Sequence, residues 1–102
     1  MDFEWDERKN QLNIEKHGIN FDTARKIFEG PVLTWTDDRK DYGEIREISL
    51  GKVEDQVLLT VAHTDRYECI RIISARVASQ KERRTFEDAE RKNALRIKKD
   101  EG

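Results

Sequence analysis

Cys69-Ile70-Arg71-Ile72-Ile73-Ser74-Ala75-Arg76-Val77-Ala78 is the longest apolar run in a chain whose charged residues make up 41% of the total. Ile70, Ile72 and Ile73 are β-branched and suit a pleated, largely buried surface, so the run reads as the central strand of a sheet. Arg71 and Arg76 interrupt it with charges that a purely structural strand avoids. Each guanidinium calls for one of three settings. These are a carboxylate partner such as Glu44, Glu47 or Glu68, a sheet margin to which it can snorkel, or a site where a phosphate sits.

Upstream of this run, Asp65-Arg66-Tyr67 is a tight connection to a strand over Val57 to Thr64, itself preceded by a turn from Gly51 to Gln56. Glu44 to Leu50 alternates, with Glu44, Arg46, Ile48 and Leu50 on one face. The charged segment Asp37 to Gly43 reads as a solvated loop, and Val32 to Thr36 as the first strand of the set. Short loops with no helix between them predict an antiparallel meander of four strands. Downstream, Ser79 with Glu82 three residues later is a capping box opening a helix from Gln80 to about Lys98. Phe86, Ala89, Ala94 and Ile97 give that helix only a weak apolar stripe, so residues from about 90 to 102 are expected to fray or stand in solvent.

At the start of the chain, Phe3 to Trp5 alternates as a short first strand. Asp6 is placed to cap a helix over Glu7 to His17, with Lys16 and His17 in its last turn and Gly18 as its C-terminal cap. A second helix runs from Phe21 to Phe28, with Asp22 as its cap, and Gly30-Pro31 ends it. Helices followed by strands make an α+β fold in a single domain over residues 1–102. It comprises two N-terminal helices, a four-stranded antiparallel meander to which the short first strand can add, and a C-terminal helix.

A chain of 102 residues with 35% hydrophobic content supports one small core under a heavily charged surface. It has no apolar run of about 18 residues and no signal-peptide pattern, so no membrane association is expected. Cys69 is the lone cysteine. It excludes a disulfide framework within the chain and fits a reducing cytoplasm. The net charge of −2 hides a split: Met1 to Ala75 carries 11 Lys and Arg against 16 Asp and Glu, whereas Arg76 to Lys99 carries 9 against 4. A basic patch of that kind binds phosphate even on an acidic chain, because screening limits the reach of each charge to about 8 Å.

No metal-binding motif, glycine-rich phosphate loop or G-x-S-x-G elbow is present. What remains is a set of basic groups: His63 near the end of its strand, Arg66 in the hairpin connection, and Arg76 and Arg83 around the turn into the last helix. Arg66 and Arg76 would lie roughly 20 Å apart at about 3.3 Å per residue. They therefore suit an extended groove for a polyanion. RNA cleavage without a metal needs a base for the 2′-hydroxyl, a cation for the charge on the phosphorane and an acid for the leaving oxygen. His63 could serve as base or acid, Arg66, Arg76 and Arg83 as cations, and Glu44 or Glu82 as alternative bases. The same residues fit a binding domain that catalyses nothing.

A resemblance narrows the choice. Phe3-Glu4-Trp5-Asp6, the run Asn13-Ile14-Glu15-Lys16-His17-Gly18-Ile19 followed by Phe21 and Ala24, Gly43-Glu44-Ile45-Arg46, His63-Thr64-Asp65-Arg66, Ile70 to Arg76, and Glu82-Arg83 occur in an order that resembles the BrnT family of bacterial toxin-antitoxin toxins. That resemblance implies a RelE-like α+β fold and a metal-independent ribonuclease without cofactor that arrests translation. It also implies a ribbon-helix-helix antitoxin encoded alongside, through which alone the toxin would reach operator DNA. Position by position, it favours Lys16, His17, Glu44, Arg46, His63, Arg66, Arg76 and Arg83 as site residues. With the reading of the residues, His63, Arg66, Arg76 and Arg83 are expected in catalysis, Lys16, His17 and Arg46 in RNA binding, and Glu44 or Glu82 as base. Where this chain has Phe86 the family commonly has Tyr, and phenylalanine transfers no proton. The alternative reading is therefore a non-catalytic protein-binding module, or an inactive toxin homologue acting only in complex with its partner.

Overall fold

Asp6 accepts the backbone N–H groups of Arg8 and Lys9 to start α1 (Glu7–His17), which closes on Gly18 at φ 73°, left-handed backbone that glycine adopts without steric cost. Both ends lie where the sequence predicts them. This is a computed structural model, and it describes residues 1–98. The buried face of α1 is polar rather than apolar. Asn13 donates to the carbonyls of Ile19 (2.8 Å) and Ala75 (2.9 Å) and accepts the N–H of Ala75 (3.1 Å). Asn10 accepts the N–H of Phe21 at 2.8 Å. These amides pin a helix with a thin apolar stripe, and each backbone group they satisfy would cost about 1–3 kcal/mol if left buried and unpaired.

The second helix is shorter than its periodicity suggests: α2 (Phe21–Ala24) tightens into a 3-10 turn over Arg25–Glu29. Its cap is Asn20, which accepts the N–H of Thr23 at 2.7 Å, and not Asp22, which pairs with Arg25 at 2.8 Å. Phe21 sets the start, because its side chain is fully buried and its N–H is held by Asn10. Phe21, Ala24, Ile27 and Phe28 all reach the core, as the spacing predicts.

The sheet comprises β1 (Asp2–Trp5), β2 (Pro31–Thr36), β3 (Glu47–Lys52), β4 (Leu58–Arg66), β5 (Cys69–Val77) and β6 (Arg96–Ile97). Its spatial order is β1-β5-β4-β3-β2-β6. The predicted meander is its core, with β2 to β5 paired antiparallel, and an extra strand lies on each side. On one edge β1 lies parallel to β5, and on the other β6 pairs antiparallel with β2. Cys69–Val77 is consequently next to an edge, and β3 and β4 hold the centre; the arginines of β5 fit that more marginal place.

Three boundaries differ from the sequence reading. Glu44 to Arg46 belong to the loop before β3, which instead continues through Gly51. A Cβ at Gly51 would stand 2.7 Å from Ile27 Cβ and 2.9 Å from Val32 Cγ1, so only glycine admits this close approach of the 3-10 turn. β4 extends through Asp65 and Arg66, and the turn falls at Tyr67, whose φ is 53°. The last helix, α3 (Gln80–Arg91), ends well before Lys98: Asn93 takes a φ of 55° and the chain returns to the sheet as β6. Residues 99–102, the remainder of the expected frayed end, lie outside the described residues.

Helices α1 and α2 cover one face of the sheet over Val32, Leu59, Val61, Ile70, Ile72 and Ala75. On the opposite face α3 covers only one end, through Phe86 against Leu50 and Leu58. A bulge in β5 decides what the rest of that face presents. His63 pairs with Ile72 but Ala62 with Ser74, so Ile73 is an extra residue. Strict alternation would put Arg71 and Arg76 on opposite faces; the inserted residue turns both to the α3 side.

Candidate active site

The capping box that starts α3 also builds the site. Ser79 accepts the N–H of Glu82 at 3.1 Å, and Glu82 Oε1 accepts the N–H of Ser79 at 2.8 Å. The same carboxylate accepts Arg76 in bidentate fashion (2.7 and 2.9 Å) and the Thr60 hydroxyl at 3.0 Å. Thr60 and Arg76 are directly opposed across β4 and β5. Glu82 thus fixes the guanidinium above the sheet, and its hydrogen bonds from Arg76 above all hold its carboxyl down at about 2.

A cavity of about 210 Å³ opens beside this pair, lined by Trp35, Thr36, Asp37, Asp38, Arg39, Ile48, Thr60, Arg76 and Glu82. Its far wall is the segment read from the sequence as a solvated loop. Buried Asp37 accepts Arg39 Nε at 2.8 Å, Arg39 Nη2 at 2.9 Å and the Tyr42 hydroxyl at 3.1 Å. Hydrogen bonding to Arg39 is the main reason its carboxyl is held at about 2. The Tyr42 ring carries the Arg46 guanidinium at 3.9 Å, and Arg46 also pairs with Glu44 at 3.3 Å. Trp35, Asp37 and Arg39 therefore line this candidate site and Tyr42 braces Asp37, and none of the four stood out in the sequence. The tight x-D-D-R-K-D-Y-G composition looked like a turn, and only the fold closes it over Arg76.

The other residues named from the sequence are dispersed. His63 is fully buried on the α1 side of the sheet, edge-on to Phe28 at 5.1 Å between ring centres. Its Nε2 bonds the Ser49 hydroxyl and its Nδ1 bonds Asp65, both at 2.8 Å. Thr34 shares the Ser49 hydroxyl at 2.7 Å. The hydroxyl, imidazole and carboxylate follow the order of a nucleophilic triad, but Ser49 is 0% exposed and no substrate reaches it. Arg66 stands exposed at the end of β4, six positions along the strand from Thr60, so it remains about 20 Å from Arg76. Lys16 and His17 end α1, on the side of the sheet away from Arg76. Arg83 is half-buried on α3 next to Glu82, with no ion pair among the described residues.

Glu47, His63 and Asp65 bring their ligand atoms within 4.8 Å of one another, a grouping that sequence spacing did not suggest. Lys98 already supplies the cation: its ammonium lies 2.7 Å from Asp65 and 3.4 Å from Glu47. Burial opposes the Asp65 charge, yet the bonds from His63 and Lys98 keep its carboxyl below the ordinary range. A larger hollow of about 490 Å³ beside β2 and β6 is lined by Glu47 and Lys98, already paired with each other, and by Arg96, which turns back on the Asn93 and Leu95 carbonyls. The thiol of Cys69 is raised by burial and the nearby acids Glu4 and Asp2, which argues against a nucleophilic role.

Glu82 makes stability depend on pH in a defined window. Its carboxyl titrates at about 2 in the fold against 4.5 ordinarily, so in between the unfolded chain binds more protons. The contribution is complete above the ordinary value and is lost as pH falls toward 2. Thermal unfolding followed from neutral to acid pH should therefore show Glu82→Gln declining less steeply than the parent over that window. Asp37, held in the same range, keeps part of the slope in the variant.

Among the described residues no helix is long and apolar enough to cross a membrane. Residues 5–82 match the family described as ribonuclease toxin, BrnT, of type II toxin-antitoxin systems. The 1.1 Å crystal structure of the Brucella abortus ribonuclease toxin BrnT is similar, with a TM-score of 0.63 and 28% identity over 78% of this chain and 99% of that one. No match is found among curated proteins. The matched segment runs from Trp5 to Glu82 and so contains the meander, the β5 bulge and the Arg76–Glu82 pair. On that extent, the chain belongs to the BrnT family of ribonuclease toxins of type II toxin-antitoxin systems.

Proposed function

We propose that this toxin cleaves RNA without a metal ion, at the cavity on the α3 face, and thereby blocks translation. The observation that carries this reading is the Arg76 guanidinium, held bidentate by Glu82 at the wall of an open cavity. Cleavage of this kind has the 2′-oxygen attack phosphorus while the P–O5′ bond breaks. One proton leaves the 2′-hydroxyl and one is gained by the 5′-oxygen, giving a 2′,3′-cyclic phosphate and a 5′-hydroxyl end. Charge builds on the non-bridging oxygens, and a fixed guanidinium in a half-enclosed site stabilises it. Arg76 still has its Nε–H to offer, because its contacts to Glu82 and Val77 use the terminal nitrogens.

Glu82 serves in this reading as the positioning residue for Arg76, since a carboxyl held at about 2 is a weak proton acceptor. Glu44, exposed and paired among the described residues through a single contact to Arg46, is the base we favour. Arg83 and Arg46 extend the positive field along the groove, and Arg66, Lys16 and His17 would meet only more distant parts of a long RNA. The metal-independent route is supported by carboxylates already paired with Arg39, Arg76 and Lys98. The antitoxin implied by the type II family is, in our reading, a ribbon-helix-helix protein that connects the toxin to operator DNA. A RelE-like fold and a cytoplasmic setting complete the proposal.

Purified toxin incubated with RNA in excess chelator should yield fragments with 5′-hydroxyl ends. RNA cut only when a divalent ion is restored would overturn metal independence, and RNA intact in both conditions would overturn cleavage itself.

A further inference from the structure

The cavity holds two groups that the cleavage step does not use. Trp35 lies on the α3 side of β2, 40% exposed, in the same wall as Thr36, Arg39 and Ile48. An indole this open on a sheet offers a flat face of the kind on which nucleobases stack. Arg39 directs Nε and Nη2 to Asp37, and its Nη1 makes no direct hydrogen bond of good geometry among the described residues. Its side chain is 75% exposed while that of Asp37 is 3% exposed, so a buried anchor holds an outward-facing cation. Tyr42 braces the anchor from the other side at 3.1 Å.

Arg39 and Arg76 line one hollow, near enough for the charge of each to bear on the other. Two guanidinium groups so placed repel unless an anion lies between or beside them. Asp37 and Glu82 neutralise each from behind, leaving donors at the front. The pattern of cation, flat aromatic surface and cation along one short groove matches a nucleic-acid strand, whose phosphates alternate with bases.

We propose that Trp35 and Arg39 form a nucleotide subsite beside the scissile phosphate, with Trp35 stacking one unpaired base and Arg39 binding the neighbouring phosphate. The substrate class is then single-stranded RNA, because a base inside a duplex presents no free face. Identification of the polymer as RNA rests on the ribonuclease reading above.

The test uses a short single-stranded 2′-O-methyl oligoribonucleotide, which binds but cannot react, and follows tryptophan fluorescence. The parent should show quenching that Trp35→Ala abolishes, leaving only the Trp5 signal. Loss of one stacked base should weaken binding by about 5- to 150-fold in Trp35→Ala. Trp35→Phe, which keeps an aromatic face, should retain most of the affinity. Arg39→Gln should weaken binding across sequences and reduce the slope of log K against log salt by about 0.7. The same oligonucleotide in a duplex should bind less tightly than the single strand.

Thermal unfolding of each variant identifies loss of fold, and Trp35→Phe decides the matter if Trp35→Ala is unstable. Equal affinity of the parent and a folded Trp35→Ala for the oligonucleotide overturns the subsite. Antitoxin binding weakened in that variant while oligonucleotide affinity is unchanged overturns it in favour of protein docking. The two readings fail separately. A parent that cuts RNA with a KM unchanged by Trp35→Ala removes the subsite alone, whereas Trp35-dependent binding with unmodified RNA left intact removes the ribonuclease reading alone.

Discussion

Arg76→Ala should lower RNA cleavage by about 10²- to 10³-fold, the range seen when one preorganised donor to a developing oxyanion is lost. Induced at matched soluble levels in a bacterial host, the parent should arrest growth and the variant should not. Stability should change far less than activity. The Arg76 side chain is 44% exposed, and partly exposed ion pairs contribute about 0–1 kcal/mol. Glu82 keeps its bonds from Thr60 and the Ser79 N–H after the substitution, so α3 remains capped. That separation of activity from stability is the discriminating result. A variant that melts like the parent and still arrests growth would exclude Arg76 from the reaction, and with it the assignment of the α3 face as the active surface.

Phe86→Ala should destabilise the fold by about 3–5 kcal/mol, a large part of the 5–15 kcal/mol typical of a small domain. Phe86 is 2% exposed and is the residue by which α3 joins the sheet, against Leu50 and Leu58 and beneath the Lys52 ammonium at 5.7 Å from its ring centre. Urea titration should show an earlier midpoint, and cleavage should fall as well, because α3 carries Glu82 and Glu82 carries Arg76. Phe86→Tyr is the companion measurement. The ring sits in the core rather than in the cavity lining, so adding a phenol hydroxyl here should not raise cleavage; a substantial rise would give this position a proton-transfer role.

The sequence was informative wherever a local pattern had one physical solution. Asp6 and Gly18 bounded α1, and Ser79 with Glu82 started α3, because cap chemistry acts within a few residues. The apolar spacing of Phe21, Ala24, Ile27 and Phe28 reached the core even though the backbone there tightens to a 3-10 turn. Arg76 was named from the sequence as a candidate cation and Glu82 as a possible base, and the fold pairs the two.

What the sequence left open depended on contacts between distant segments. The end of α3 was missed because its weak stripe, including Ala94 and Ile97, continued past Arg91, whereas β6 exists only where the edge of β2 is there to pair with it. Lys98, expected in solvent, is held by Asp65 and Glu47 from two other strands. His63, expected from the sequence to act as base or acid, is buried against Phe28, since register determines which face a strand residue takes.

By itself, then, the sequence determined an α+β chain with a four-stranded meander and a basic stretch running into its last helix. The tertiary structure alone decided which of these residues come together. A single unpaired residue, Ile73, breaks the alternation of β5 and brings Arg71 and Arg76 to one face, and the loop from Asp37 folds over the cavity beside Arg76. Side-chain direction in a strand has a period of two, so one inserted residue reverses everything beyond it, and that insertion shows only once β4 is paired alongside.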